Sequence, residues 1–522
     1  MSVNTCQLHL FDAEMKSKYC KIVAKIWMFI YKFKQAGINL PLWNLLFFSP
    51  VVLGSFSSLA RAGDSLSTPL HYAITFIVFF IIWVSLQFSV TIGILSMYIY
   101  LVLMGWLRRS LISSTGYLSN DPIILVSALV SILFFVRLVL TKKVPNYTEL
   151  SRLILILLLT MFLEIFNPLQ GGIIVGASGA LFYIVPILWY FIGLSKGSNR
   201  ILEKILGFTV FVGLIEAIIG YNQTRNGLSE VEKYWTMVAG GGSQMLAGSG
   251  VSRSFGTFLS FSEYVSSLIV SCSVSWAMFL RKKYIYSLPF AIVFISLFIS
   301  SSRTGLITLL FAIVLTWALQ GSTPKIWIPR LLLALVIGLW GIGSGLNAVK
   351  DINVDQRTSV LVNHEIDGLT DPFAKNASSH AHIRLITNGI IEGFRIPIGH
   401  GLGASTLAAK KFGSELSTES GISSENDYAN MFYSLGALGG IFYIFICIKI
   451  WIVMIRYWNE SRDVAVLALL VLMAGLQGQW LTGAHYAQTM FFWFAIGAMD
   501  GIIFRQKLAK QKLLLAEKLD GD

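Results

Sequence analysis

Three arginines and one short acidic segment are the residues of this chain best suited to chemistry on a phosphorylated substrate. Arg253 and Arg303 stand close to the ends of apolar segments, and Arg384 lies in the long polar stretch from about Asn347 to Asp427. A guanidinium offers several N–H donors in a planar fork that matches phosphate oxygens, and it stays charged at any relevant pH. Two or three that converge could hold a diphosphate without a metal. One arginine alone more often just reaches the lipid headgroups with its long side chain. Several on the side where basic residues are depleted point toward function.

The acidic segment is Glu425-Asn-Asp-Tyr428, directly ahead of an apolar run. Asp427 is placed to cap the helix that follows, where a carboxylate meets free N–H groups and the positive end of the dipole. Glu425 sits further out and could take the proton from an attacking sugar hydroxyl. His380, His382 and His400 are rivals for that role, although a lone histidine in a polar loop is more often a plain surface residue. The run Arg395-Ile-Pro-Ile-Gly-His-Gly-Leu-Gly403 has the look of a dinucleotide fingerprint but follows no parallel strand. A tight turn that brings backbone against a ligand or another helix is the better account. Trp480, His485, Tyr486 and Trp493 suggest an interfacial aromatic belt.

The elements that must position these residues are membrane helices. The chain has 522 residues, of which 55% are hydrophobic and 13% charged, with mean hydropathy +0.69. Apolar runs of about 17 to 25 residues recur along it, the length a bilayer demands. About fourteen spans are expected, at 41–60, 71–88, 90–107, 122–140, 152–167, 171–194, 201–220, 255–280, 285–300, 303–319, 327–346, 428–455, 463–482 and 486–503. The fold class is therefore all-α and polytopic, with about 12–14 transmembrane helices and one large periplasmic loop containing short amphipathic helices.

The net charge of +13 is spread as the positive-inside rule requires, not as a nucleic-acid surface. Lysines crowd the first 34 residues, basic residues crowd the stretch after Arg505, and short basic loops hold Lys142-Lys143, Lys196 with Arg200, and Arg281-Lys-Lys283. An even span count then puts both termini in the cytoplasm and the long loop outside. Arg108-Arg109 falls on the outer side, so either the count differs between residues 70 and 120 or that pair has an outward role. Residues 15–33 read as a basic amphipathic helix or a solvated leader, with no cleavable signal peptide. Cys6, Cys20, Cys272 and Cys447 show no paired or metal-ligand spacing.

The domains follow: 1–40 a cytoplasmic basic tail, 41–200 N-terminal transmembrane helices, 201–346 core transmembrane helices, 347–427 the periplasmic loop, 428–503 C-terminal transmembrane helices, and 504–522 a second basic tail. Inside the loop, Ile383, Ile386, Ile390 and Phe394 share one helical face, while His380, Arg384, Asn388 and Glu392 share another. A second outward loop over 221–254 holds Gly240-Gly-Gly-Ser-Gln and ends at Arg253. No internal inverted repeat is apparent, which argues mildly against a transporter. A flippase would want charged groups at mid-membrane depth. Here Glu164, Glu203, Glu216 and Glu263 are single or near ends, Glu263 lying deepest in its expected span.

With these landmarks in order, the sequence resembles the O-antigen ligase and O-antigen polymerase superfamily of bacterial envelope glycosyltransferases over roughly residues 200–500. The landmarks are Arg253-Ser-Phe-Gly-Thr-Phe258, Ser302-Arg-Thr-Gly305, Arg384 through Gly403, and Glu425-Asn-Asp-Tyr428 through Gly439. The resemblance implies a metal-independent inner-membrane enzyme without a cofactor, whose donor is a glycan on undecaprenyl diphosphate and whose acceptor is a second, lipid-linked glycan. It implies Arg253 and Arg303 as catalytic groups that stabilise the leaving diphosphate and Glu425 as the base. Arg384, His400, Asn426 and His380 would bind substrate, and a flippase and a chain-length regulator would be companions. In lipopolysaccharide ligases the residue before the Asn is typically His. Glu425 in its place favours a repeat-unit polymerase over the ligase, with a flippase or exporter of lipid-linked glycans as the alternative from another class.

Overall fold

The computed structural model describes residues 67–141, 148–239, 246, 250–321, 325–334, 336, 355–370, 378–413, 426–481 and 486–520. The expected basic helix at 15–33 and the span at 41–60 lie outside them, as do Cys6 and Cys20. Among the described residues the secondary structure is helical, with no β-strand. The helices used below are α1 Ser67–Phe88, α2 Val90–Thr115, α3 Leu125–Leu140, α4 Glu149–Glu164, α5 Ile173–Lys196, α6 Asn199–Asn226, α7 Glu230–Val238 and α8 Phe261–Leu280. They continue as α9 Ser287–Ile299, α10 Arg303–Ala318, α11 Gln356–Thr370, α12 Ser378–Arg395, α13 Leu407–Phe412, α14 Asp427–Ser461, α15 Val464–Gly475 and α16 Tyr486–Asp520. The chain divides into two units at Phe76/Ile77. Of the first, the described part is the opening of α1, and the packing below belongs to Ile77–Asp522.

Among the described residues seven helices are long and apolar enough to cross a membrane, α2, α5, α8 and α14 among them. That matches a polytopic membrane protein. The sequence pattern locates nearly every helix because continuous apolar runs without water to serve the backbone must close their hydrogen bonds internally. Polar residues mark the starts: Thr148, Ser198, Ser229 and Ser260 each accept a hydrogen bond from an N–H of the first turn of the helix that follows.

The core is built by close helix contacts. Gly193 of α5 and Gly197 at its C-cap lie against Phe494 and Ala498 of α16, while Gly497 and Gly501 of α16 lie against Tyr190 and Leu194 of α5. A Cβ on Gly193 would lie 2.1 Å from the Phe494 oxygen and one on Gly497 1.9 Å from the Tyr190 oxygen. Small residues four apart on both helices let the backbones meet, the arrangement that drives helix pairing in lipid. Across this seam the buried Asp500 carboxylate accepts hydrogen bonds from the hydroxyls of Thr148 at 2.5 Å and Tyr190 at 2.6 Å. Helix α16 continues to Asp520, so the described part of the basic stretch after Arg505 is helical.

Three expectations are corrected here. The segment expected to span at 463–482 is a helix of only 12 residues, α15, nearly all of it buried. At 1.5 Å per residue such a helix covers roughly 18 Å, well short of the hydrocarbon thickness. Irregular backbone follows it, with Leu476, Trp480 and Leu481 buried, as non-helical chain at membrane depth must be. Second, Trp480 and Trp493 are buried and bond to one another's surroundings (Trp493 donates to the Trp480 oxygen at 2.9 Å), so they pack the core instead of forming an interfacial belt. Third, Glu263 is the third residue of α8, not deep in a span, and it accepts the Leu259 N–H at 3.0 Å. Cys272 and Cys447 are buried free thiols.

Candidate anion site beneath the polar-loop helix

Arg253 lies in an irregular segment, 250–260, that the fold grips from several sides. The Gln223 amide oxygen of α6 accepts the N–H groups of Phe255 at 3.0 Å and Gly256 at 2.8 Å. Buried Glu216, about two turns earlier on α6, accepts from the Thr257 N–H at 3.0 Å and its hydroxyl at 2.5 Å. From α2, Arg109 donates to the Phe258 oxygen and, at 2.8 Å, to the Gly256 oxygen. Its neighbour Arg108 pairs with Asp121 at 2.7 Å, both side chains buried. The basic pair is thus structural: Arg109 locks the segment that follows Arg253, and Arg108 is held by Asp121. Arg253 is half-buried, with its guanidinium 4.8 Å from the centre of the Phe261 ring, a contact that orients a cation while leaving its rim of donors in place.

Arg303 is positioned by a tight turn. Ser301 adopts φ +60 between α9 and α10, a left-handed conformation that costs a serine about 1 kcal/mol, and the chain re-enters a helix with Arg303 as its first residue. Over this turn lies α11, packed on α6, α9 and α10. Its buried stripe is Thr358, Leu361, Val362, Glu365 and Ile366, and Val362 and Ile366 pack against Ile299 at the end of α9. Arg303 donates to the His364 carbonyl oxygen at 2.8 Å, and the same nitrogen lies 3.0 Å from His364 Nε2 and 3.3 Å from Nδ1.

Both arginines act on the same two residues. Burial first, and then the charges of Arg303 and Arg253, push His364 down to about 4, with Asp367 pulling the other way. Burial pushes Glu365 up to about 7 against the opposing pull of Arg303 and Arg253. Two guanidiniums 50 positions apart in sequence thereby share one neighbourhood with a neutral imidazole and a carboxylate. The sequence pattern had marked the arginines but not His364 or Glu365. The available signal was a carboxylate at spacing 3, 4 and 7 within the stripe Thr358, Leu361, Val362.

Arg384 stands on a different pair of helices. It is exposed on α12, which packs along α14 through Gly389 and Gly393. The rest of α12 divides into an exposed apolar strip, Ile383, Ile391 and Phe394, and an exposed polar strip, Arg384 and Asn388. Glu392 is turned toward the packed side and pairs with Arg395 at 3.2 Å. His380 lies in the first turn of α12.

The glycine run after Pro397 is a clasp between helices. The N–H groups of His400 and Gly401 donate to the Tyr433 and Ser434 oxygens at 3.0 and 3.1 Å. Leu402 N–H reaches the Glu164 oxygen at 3.2 Å, and Gly403 N–H reaches the Gln170 side chain at 3.0 Å. Gly399 and Gly401 have φ of +79 and +98, which only glycine adopts freely. His400 is buried and stacks on Tyr433 with ring centres 4.0 Å apart, a packing position.

At the start of α14 the cap is Asn426, whose side chain accepts from the N–H groups of Tyr428 and Ala429. Asp427, expected as the cap, is instead buried at the first helical position, where it accepts the Leu481 N–H at 2.8 Å and the Tyr443 hydroxyl at 3.1 Å. It serves the irregular backbone after α15. Glu425 and His485 lie outside the described residues. Among the described residues no three His, Cys, Asp or Glu side chains come together as a metal ion would need.

What this arrangement can do chemically is hold an anion between two guanidiniums beside a buried carboxylate. No protein-family model matches the chain, and no curated protein or solved structure matches it either.

Proposed function

We propose that this chain is a glycosyltransferase of the bacterial inner membrane that polymerises undecaprenyl-diphosphate-linked oligosaccharide repeat units into O-antigen, capsule or exopolysaccharide. In this proposal the chain crosses the membrane about 12–14 times and residues 347–427 face the periplasm. The observation that supports it is the hydrogen bond from Arg303 to the His364 oxygen of α11 at 2.8 Å, with the charges of both Arg303 and Arg253 bearing on His364 and Glu365. An acceptor hydroxyl attacks the donor's anomeric carbon, the bond to the diphosphate breaks, and the two guanidiniums stabilise the negative charge that develops. No metal is required for that role. Arg384 on its exposed strip binds donor or acceptor; the resemblance offers Glu425 for the base, a role for which the fold supplies a second candidate. An exporter driven by protons would need carboxylates free to titrate. Glu216 and Glu263 accept backbone N–H groups of the Arg253 segment, so both are engaged in holding that segment.

The test is polymerisation of lipid-linked repeat units by membranes carrying single variants. Arg253→Ala and Arg303→Ala are each expected to lower the rate at least about 10²-fold, the effect of removing one positioned donor from a developing anion, with membrane insertion intact. Arg456→Ala, exposed near the far end of α14, is expected to be silent. Equal activity of all three would refute the proposal. Deleting the gene in its host should leave single repeat units on the surface acceptor. Full-length polymer stranded on undecaprenyl diphosphate would mean a ligase instead.

A further inference from the structure

A group must take the proton of the attacking hydroxyl, and the arginine site contains a carboxylate that the fold leaves without a partner. Glu365 is fully buried, and among the described residues neither of its oxygens has a hydrogen-bond partner. The Ser301 hydroxyl is near enough to favour the ionised carboxylate but does not meet hydrogen-bond geometry, and it is itself unsatisfied, as is the Nε of Arg303. Native proteins seldom leave buried polar atoms in this state. Orphan acceptors and an orphan donor side by side call for a ligand that brings both kinds of partner. A simple anion would satisfy the arginine alone. A glycosyl diphosphate together with a sugar hydroxyl would satisfy both.

We propose that Glu365 is a catalytic residue whose carboxylate receives the proton of the sugar hydroxyl that attacks the donor. This rests on the assignment of Arg253 and Arg303 to the diphosphate. The acceptor's O–H bond breaks as its oxygen bonds to the anomeric carbon. The bond from that carbon to the diphosphate breaks, and its electron pair leaves with the diphosphate oxygen. The proton goes to Glu365, so one negative charge passes from the carboxylate to the leaving group beside the same two arginines. Afterwards Glu365 returns its proton to the departing diphosphate or to water.

The surroundings suit that role. The charges that bear on Glu365 from other elements are Arg303 of α10 and Arg253 ahead of α8. Helix α9 carries no titratable side chain; on the α6 side, Arg357 of α11 lies against Gly227. His364 and Asp367 are the titratable neighbours on the same helix. Burial lifts the carboxyl to about 7, near the pH at which a base works best.

The experiment uses the full chain in proteoliposomes with a lipid-linked repeat unit, measuring turnover against pH, and binding of undecaprenyl diphosphate as the probe. Glu365→Gln keeps the shape of the buried side chain. It is expected to lower turnover about 10²-fold or more, the usual share of a general base. Probe binding should stay within a few-fold, and the fall in rate below neutral pH should disappear. Glu365→Asp, which keeps a carboxylate, should recover part of the rate and the acid limb. Normal turnover of Glu365→Gln while Arg303→Ala is inactive would overturn the role of Glu365 and leave the arginine assignment standing. Loss of turnover in Glu425→Gln with Glu365→Gln unaffected would hand the proton to Glu425. Unchanged probe binding in Arg253→Ala and Arg303→Ala would sink the arginine assignment itself. An inactive Glu365→Gln that no longer binds the probe, or a Glu365→Asp no faster than it, would make Glu365 a packing group and overturn the base.

Discussion

Arg303 donates a guanidinium N–H to the His364 carbonyl oxygen at 2.8 Å while lying 3.0 Å from the Nε2 of the same residue. A neutral ring can accept from the guanidinium; a protonated one would be repelled. This couples the site to pH in a way that His364 and Glu365 share.

The first prediction concerns stability. Folded His364 holds its proton only below about 4, against an ordinary value of 6.5. Between those values the unfolded chain binds more protons, so its contribution is full above 6.5 and is lost as pH falls toward 4. Folded Glu365 keeps its proton up to about 7, against an ordinary 4.5, so its contribution is full below 4.5 and is lost as pH rises toward 7. The two slopes oppose each other. Relative to the parent, the unfolding temperature of Glu365→Gln in detergent should rise as pH goes from 4.5 to 7, and that of His364→Gln should fall as pH goes from 4 to 6.5. Variants whose curves simply parallel the parent would show that neither group is perturbed.

The second prediction concerns Arg109, the clamp on the Arg253 segment. Removing its fork orphans the buried Phe258 carbonyl and leaves Gly256 with only the longer bond from the Gln223 amide at 3.3 Å, at roughly 1–3 kcal/mol for the orphaned group. Arg109→Ala should therefore lower thermal stability clearly and reduce activity by loosening the loop. Arg109→Lys should rescue little, because an ammonium cannot span two carbonyls as a fork does. Arg152→Gln, at an exposed position on α4, serves as the comparison and should change neither. A stable, active Arg109→Ala protein would dismiss the clamp.

The third prediction separates glycines that are required from one that is not. An alanine Cβ at Gly403 would lie 2.0 Å from the Val175 oxygen, and at Gly436, where φ is +71, 1.9 Å from the Pro397 oxygen. Both substitutions should destabilise the clasp that ties α12 to α4, α5 and α14, and should raise protease sensitivity around residue 400. Gly207, with open space around it, should accept alanine at no cost or with a gain of about 0.5–1 kcal/mol from helix propensity. Indistinguishable proteolysis of the Gly403 and Gly207 variants would count against the clasp.

Much of the helical architecture was legible in the sequence because hydropathy over a bilayer-length window leaves the backbone no alternative to a helix. The ends of α1, α3 and α5 fall within a few residues of the spans read from the pattern. The half-length α15 was not legible, since an apolar run does not reveal where Gly475 and Gly478 let the backbone turn away. Nor was the burial of Trp480 and Trp493, because a tryptophan near a span end looks the same whether it faces headgroups or core.

The site divides in the same manner. Residue types alone marked Arg253 and Arg303, because cations near span ends on the depleted side stand out against their composition. Their grouping with His364 and Glu365 depends on α11 folding back over the α9–α10 turn, a contact between segments about 60 positions apart such as Arg303 and His364. Local pattern is blind to such contacts, since nothing in the neighbouring sequence records which distant side chain will fill the space. The sequence determined that the chain is a set of apolar helices carrying few charges. Only the tertiary structure decided which of those charges are spent on the fold, as Arg109, Glu216 and Asp427 are, and which stand together around a buried carboxylate that no described residue satisfies.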